Sequence, residues 1–194
     1  SNVSIENVLN YNTKLGSIAN LDATVGVTYD DYNFLTQNTN ASQFSMFELR
    51  ENGLHMASNI QHLEPIQKDY QLLSYLGRIN LSFFDKYLIT ASLRADGSSK
   101  FAKGNRWGYF PSASLAWRME QENFLKDVEW LNQLKLRVSY GVTGNQSIDP
   151  YSTFSMYGGG DFHYSDGSGS QESTLTITNL PNYGLTWEKT ASWN

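Results

Sequence analysis

The chain has no cysteine. A disulfide framework, a thiolate metal site and a cysteine nucleophile are therefore excluded. Charge is also scarce: charged residues make up 17% of the 194 residues, below the usual quarter. The 14 Lys and Arg are outnumbered by 19 Asp and Glu, giving a formal net charge of −5. Nucleic-acid binding needs clustered cations, so no nucleic-acid partner is expected. No apolar run approaches the roughly 18 residues that mark a membrane helix. The opening stretch SNVSIENVLN has neither the basic start nor the apolar run of a signal peptide. There is no G-x-S-x-G elbow and no phosphate-cradling glycine loop, since Gly158-Gly159-Gly160 is flanked by aromatic and acidic residues. Carboxylates are scattered, so no enzymatic activity and no cofactor are expected.

Aromatics, by contrast, reach 14% of the chain, and they are embedded in alternation. Strict period two is the signature of a strand with one apolar and one polar face. Leu21, Ala23, Val25, Val27 and Tyr29 alternate with Asp22, Thr24, Gly26 and Thr28. The same pattern runs through Leu73 to Phe83, with Leu76 an exception, and through Tyr87 to Ala95, which Leu88 breaks. It continues through Trp107 to Trp117 and through Leu134 to Val142. The end segments Asn2 to Asn12 and Leu185 to Trp193 are weaker candidates. Arg78, Arg94 and Arg137 all fall on polar faces, while Tyr87, Trp107, Tyr109, Trp117 and Tyr140 fall on apolar ones. Aromatics near strand ends on the apolar face are what interfacial girdles look like.

The connections are unequal. Phe84-Asp85-Lys86 and the segment from Lys14 to Asn20 are short turns. The segment from Glu120 to Gln133 carries Phe124, Leu125, Val128 and Leu131 at helical spacing, which predicts one short helix. The segments from Asp30 to Asp69 and from Thr143 to Gly184 are long, and the first contains an Asn52-Gly53 hairpin signal. An up-and-down order puts all short turns at one end and all long loops at the other. Compact soluble domains rarely need such loops, whereas outer-membrane barrels have this asymmetry as a rule. Backbone hydrogen bonding explains why: in hydrocarbon only helices and closed barrels satisfy every N–H and C=O. The fold class expected is all-β. It is an antiparallel up-and-down meander of about seven strands from a larger transmembrane β-barrel, with long external loops and one short helix in a periplasmic turn. A soluble β-rich binding or adhesion module is the alternative, because outward-facing polar residues give the same alternation. Ser1 in place of Met, and an alternating segment that runs to Asn194, lead to the expectation of a piece of something longer.

Four blocks then carry a resemblance. Tyr75 to Asn80 (YLGRIN) is followed by Asp85 to Ser99 (DKYLITASLRADGSS). Gly104 to Ser112 (GNRWGYFPS) leads to Ala116-Trp117-Arg118. Leu134 to Asn145 reads LKLRVSYGVTGN, and Asn182 to Thr190 reads NYGLTWEKT. In this order and spacing they resemble the barrel of SusC/RagA-type TonB-dependent transporters. The resemblance implies a 22-stranded outer-membrane importer with an N-terminal plug, of which residues 1–194 would be a partial barrel. It implies outer-membrane lipid, a SusD-like surface lipoprotein and the TonB complex, acting through a plug absent here, as partners. It further implies an oligosaccharide or peptide as substrate.

Candidate ligand contacts lie in the external loops. Lys100 and Arg106, with Asn105, are candidates in DGSSKFAKGNRWGYFP, although shaping the loop is the favoured role for that block. Tyr151, Tyr157, Phe162 and Tyr164 crowd the longer loop with Phe154, and aromatic faces stack on sugar rings. Asp166, Ser168, Ser170 and Glu172 alternate oxygen donors, but their spacing does not match a twelve-residue calcium loop. His163 stands alone, and His55 and His62 lack a third ligand, so no metal site is expected.

Overall fold

A computed structural model describes residues 1–44, 55–63, 65–125, 130–165 and 171–194. Its main body is one antiparallel sheet of seven strands in the order β1-β2-β5-β6-β7-β8-β11. These are β1 (Asn2–Leu15), β2 (Ala19–Thr36), β5 (Ile66–Phe83), β6 (Tyr87–Ser98), β7 (Trp107–Arg118), β8 (Lys135–Asn145) and β11 (Glu188–Trp193). The two long connections hold hairpins of their own, β3 (Thr39–Phe44) with β4 (Ala57–His62) and β9 (Met156–Ser165) with β10 (Gln171–Asn179). Asn52-Gly53, between β3 and β4, lies outside the described residues.

Register converts the alternation into two continuous faces. Leu21, Leu81, Ile89, Leu115 and Val138 are successive cross-strand partners, and so are Ala23, Ile79, Ala91, Ala113 and Tyr140. One residue along, Thr90 pairs with Asn80 and Ser114, and Ser92 with Arg78 and Ser112. The apolar rows end in aromatics. Tyr87 stacks on Trp117 at 6.3 Å toward the short turns, and Tyr75 stacks on Trp107 at 5.9 Å toward the loops. Trp107 and Trp117 are the two ends of β7. Ten residues of strand span about 34 Å, and a tilt of about 40° reduces this to a height of about 26 Å. That matches the ~25 Å apolar band of an outer-membrane barrel. Tyr140 departs from the girdle expectation: it lies midway along β8 and leans on Trp193 at 4.5 Å. Pro111 falls one residue beyond the last β7–β8 partner pair, Ser112 with Gly141, where a ladder donor on that side is dispensable.

Among the described residues no second layer covers the apolar face. The hydrophobic residues buried among the described ones are Ala19, Phe101, Phe110 and Trp187. The exposed surface is 14521 Å², whereas a globular monomer of this mass exposes about 9,300 Å². Leu93, Leu115 and Val138 are all half exposed or more. This arrangement is stable only where something apolar covers the rows.

At the short-turn end, Phe84 and Asp85 take positive φ values of 52° and 57°, and Lys86 N donates to Phe83 O at 2.9 Å. The expected short helix is a single 3-10 turn, Met119–Gln121. Phe124 is exposed, so its helical spacing builds no packed face, and Val128 lies outside the described residues. Glu122 ties these turns together. Its carboxylate accepts from Lys86 Nζ at 3.0 Å, Tyr87 Oη at 2.8 Å and Trp117 Nε1 at 3.1 Å. Those bonds, Lys86 first, hold its pKa down to about 2. A carboxylate depressed in the folded state stabilises fully above its unfolded value and loses that contribution as pH falls through the folded one. The melting temperature of a full-length barrel carrying this segment is therefore expected to fall between pH ~4.5 and ~2. Glu122→Gln is expected to lower it at pH 7 and to remove that part of the acid dependence. An identical acid profile in the variant would refute the fastening role.

Candidate functional site

The polar face is hydrogen-bonded within itself. Thr24 Oγ1 donates to Asn10 Oδ1 at 2.8 Å, Thr90 Oγ1 to Asn80 Oδ1 at 2.9 Å, and Ser92 and Ser112 share a bond at 2.8 Å. Arg94 Nε donates to both Asp96 oxygens, at 2.7 and 2.9 Å, and its Nη2 reaches Ser74 Oγ at 3.3 Å. This face is satisfied in water and would be ruinous in hydrocarbon, where each unpaired group costs several kcal/mol.

Toward the loop end the polar face carries a buried aromatic cluster. Trp187 packs on Phe101 at 5.2 Å and edge-on to Phe110 at 5.3 Å. Two glycines make room for Phe110. A Cβ on Gly144 would lie 2.0 Å from Phe110 Cζ, and one on Gly108 would lie 2.5 Å from the same atom. Trp187 Nε1 donates to Arg106 O at 2.8 Å, Arg106 Nε to Phe101 O at 3.3 Å, and Asn105 Nδ2 to Tyr183 O at 3.0 Å. The loop 99–106 is thereby pinned to the entrance of β11. Beside the cluster opens a cleft of about 550 Å³, lined in part by Arg94, Asp96, Asn145, Gln146 and Trp187. Gln146 Oε1 is buried there without a protein partner.

The candidate contacts divide. Arg106 and Asn105 take part in hydrogen bonds that tie their loop to Phe101, Tyr183 and Trp187. Lys100 is different: it is half-buried, with Nζ 4.1 Å from the centre of the Tyr70 ring. Tyr70 in turn stacks on Tyr32 at 4.6 Å with 15° between the planes. Nearby, Lys68 Nζ donates to Asp149 Oδ1 at 2.7 Å, which holds the Asp149 carboxyl below its usual range. Partial burial draws the Lys100 ammonium below the usual lysine range, Asp149 opposes this, and Lys68 adds to it. Tyr151 follows two residues after Asp149, with φ at 69°. Tyr157 is exposed on the separate hairpin β9–β10. Phe162 and Tyr164 belong to β9, but their side chains lie outside the described residues, as do Asp166, Ser168 and Ser170.

Tyr32, Tyr70 and Asp149 did not stand out in the sequence, yet register finds the first two. β2 and β5 pair Tyr32 with Tyr70, and the β5–β6 ladder, extended two residues past Leu72 and Ser98, sets Lys100 opposite Tyr70. No cluster of three potential metal ligands occurs among the described residues.

Known proteins resemble this chain in sequence and in fold. The TonB-dependent receptor SusC of Bacteroides thetaiotaomicron is 44% identical over 124 residues, covering 63% of this chain and 12% of SusC. The TonB-dependent receptor P3 of Formosa agariphila is 34% identical over 188 residues, covering 97% of this chain and 18% of the relative. The solved RagAB peptide transporter superposes with a TM-score of 0.80 at 26% identity, over 98% of this chain and 20% of that chain. The chain thus spans less than a fifth of the length of these curated relatives. No family model matches it.

Proposed function

Because this chain belongs to the SusC/RagA-type family of TonB-dependent transporters, as a segment of the barrel, we propose that it forms wall and outer vestibule of an outer-membrane importer. The observation that carries the reading is the pair of faces bounded by aromatic rows about one apolar band apart. One face meets lipid, and the other lines a watery bore that ends in long loops. The substrate is an oligosaccharide or a peptide, taken up with a SusD-like surface lipoprotein and driven by the TonB complex through a plug outside this segment. Support comes from the SusC and P3 receptors by sequence and from the peptide-transporting RagAB complex by shape. Membership in this family makes the segment part of a receptor and transporter, not of an enzyme. The lipoprotein lid would rest on the loop end, and Tyr151, Tyr157, Phe162 and Tyr164 are the residues proposed to meet it or the cargo.

A full-length protein carrying this segment tests the proposal. Epitope tags at Gln37-Asn38 and at Gly104 should be stripped by proteinase K from intact cells, while one at Gly16-Ser17 should survive until the outer membrane is opened. Uptake of labelled oligosaccharide or peptide should stop when TonB is deleted, and a lipid-anchored protein should copurify with the barrel. Equal protease access at both ends, or uptake indifferent to TonB, would overturn it.

A further inference from the structure

Asn2, Tyr32 and Tyr70 form one cross-strand row on the polar face, set by the registers of β1–β2 and β2–β5, and Lys100, two residues past the end of β6, lies over Tyr70 with Nζ 4.1 Å from its ring centre. The row lies five residues of β5 beyond Tyr75 of the loop-side aromatic row, about 17 Å further along the strand. It therefore stands clear of the apolar band, at the mouth of the bore. The two tyrosine rings are held parallel, and the Lys100 ammonium rests on the Tyr70 face. A π-face attracts an ammonium but occupies few of its three N–H donors.

The charged neighbours are Lys68, Asp149 and Asp30. Lys68 and Asp149 are committed to each other. Asp30 accepts from Ser4 Oγ, two residues nearer the band than Tyr32. Lys100 forms no ion pair among the described residues, and its aliphatic stem and ring contact leave it half-buried. It is a cation held in place with donors to spare, beside a flat aromatic platform.

We propose that the Tyr32–Tyr70–Lys100 cluster is a rim subsite that captures a carboxylate of the incoming substrate, with the adjoining ring or chain of the substrate laid along the tyrosines. This rests on the importer reading and adds to it a preference for acidic cargo. The carboxylate is the shared chemistry of two sources, a uronic-acid sugar and an acidic residue of a peptide. A charge-assisted hydrogen bond is worth about 1.5–3 kcal/mol, so an acid should bind roughly 10- to 100-fold more tightly than its neutral counterpart.

The test uses the full-length transporter with its lipoprotein in detergent and two matched pairs of probes. One pair is tetragalacturonate and maltotetraose; the other is tetraglutamate and tetraglutamine. Calorimetry should find the acid of one pair bound at least about tenfold more tightly than its neutral partner, and which pair responds identifies the source. Lys100→Gln should bring the members of that pair within about twofold, while Lys103→Gln, an exposed neighbour, should leave the preference intact. Heat-modifiable mobility on a denaturing gel verifies that each variant is folded. Equal binding of acid and neutral probe, binding of neither acid, or a preference that survives Lys100→Gln would overturn the subsite. TonB-dependent uptake without charge preference removes the subsite and leaves the importer standing; loss of TonB dependence removes the importer itself.

Discussion

Leu115→Arg in a full-length barrel carrying this segment is expected to cost about 1–2 kcal/mol of stability in a bilayer, between the midplane and interfacial values for a lipid-facing arginine. Leu115 lies between Ile89 and Val138 in an apolar row, two residues inside Trp117 on β7, and is 59% exposed in the isolated sheet. In hydrocarbon an arginine at that depth has no partner, because the neighbouring rows carry none. Ser114→Arg, one residue away, points into the wet bore and should change stability by no more than about 0.5 kcal/mol. A soluble module predicts the reverse ranking. There an exposed Leu115 would accept arginine at little cost, and a half-buried Ser114 would suffer. Urea unfolding of both variants in lipid vesicles decides between the two, and equal small effects would end the claim that this face meets lipid.

The same contrast explains what the sequence disclosed. Alternation marks a strand only where its two faces see different media. On the importer reading, from Leu21 to Tyr29 one face meets lipid and the other water, and the pattern is clean. β2 continues to Thr36, but through Asp30, Asp31, Tyr32 and Asn33 both faces are wet and the pattern dissolves. β5 likewise begins at Ile66, well before the alternation becomes legible at Leu73. On that reading the strands are legible within the apolar band and illegible beyond it. The hairpins β3–β4 and β9–β10 escaped for the same reason, apart from the Asn52-Gly53 signal. Helical spacing in Glu120 to Gln133 is met among the described residues by one 3-10 turn, Met119–Gln121, and Phe124 beyond it is mostly exposed. At the rim, Lys100 was legible as a loop cation. Its platform was not, since Tyr32 and Tyr70 stand far apart in the chain and meet only through register. Arg106 was legible as a loop cation by type, but the bonds its carbonyl accepts from Trp187 and its Nε donates to Phe101 O are not readable from the sequence.

That local economy gives the second large effect. Phe110→Ala should cost about 3–5 kcal/mol, the usual range for truncating a buried phenylalanine. The ring fills the space between Gly108, Gly144 and Trp187. Gly144→Ala should cost about 1–3 kcal/mol by overpacking, since the new methyl meets the ring at far less than contact distance. The two substitutions share one volume, so they should not add. In the Phe110→Ala background, Gly144→Ala should cost close to nothing, which makes the coupling about as large as the single overpacking penalty. Urea unfolding of the four proteins in vesicles measures it, with Trp187 fluorescence reporting the loop end separately from the band. Additive costs would mean that Phe110 does not occupy the space over Gly144. The wall would then have to hold its mouth open by some contact other than the Phe101–Phe110–Trp187 cluster, and the pinning of loop 99–106 to β11 would lose its physical cause.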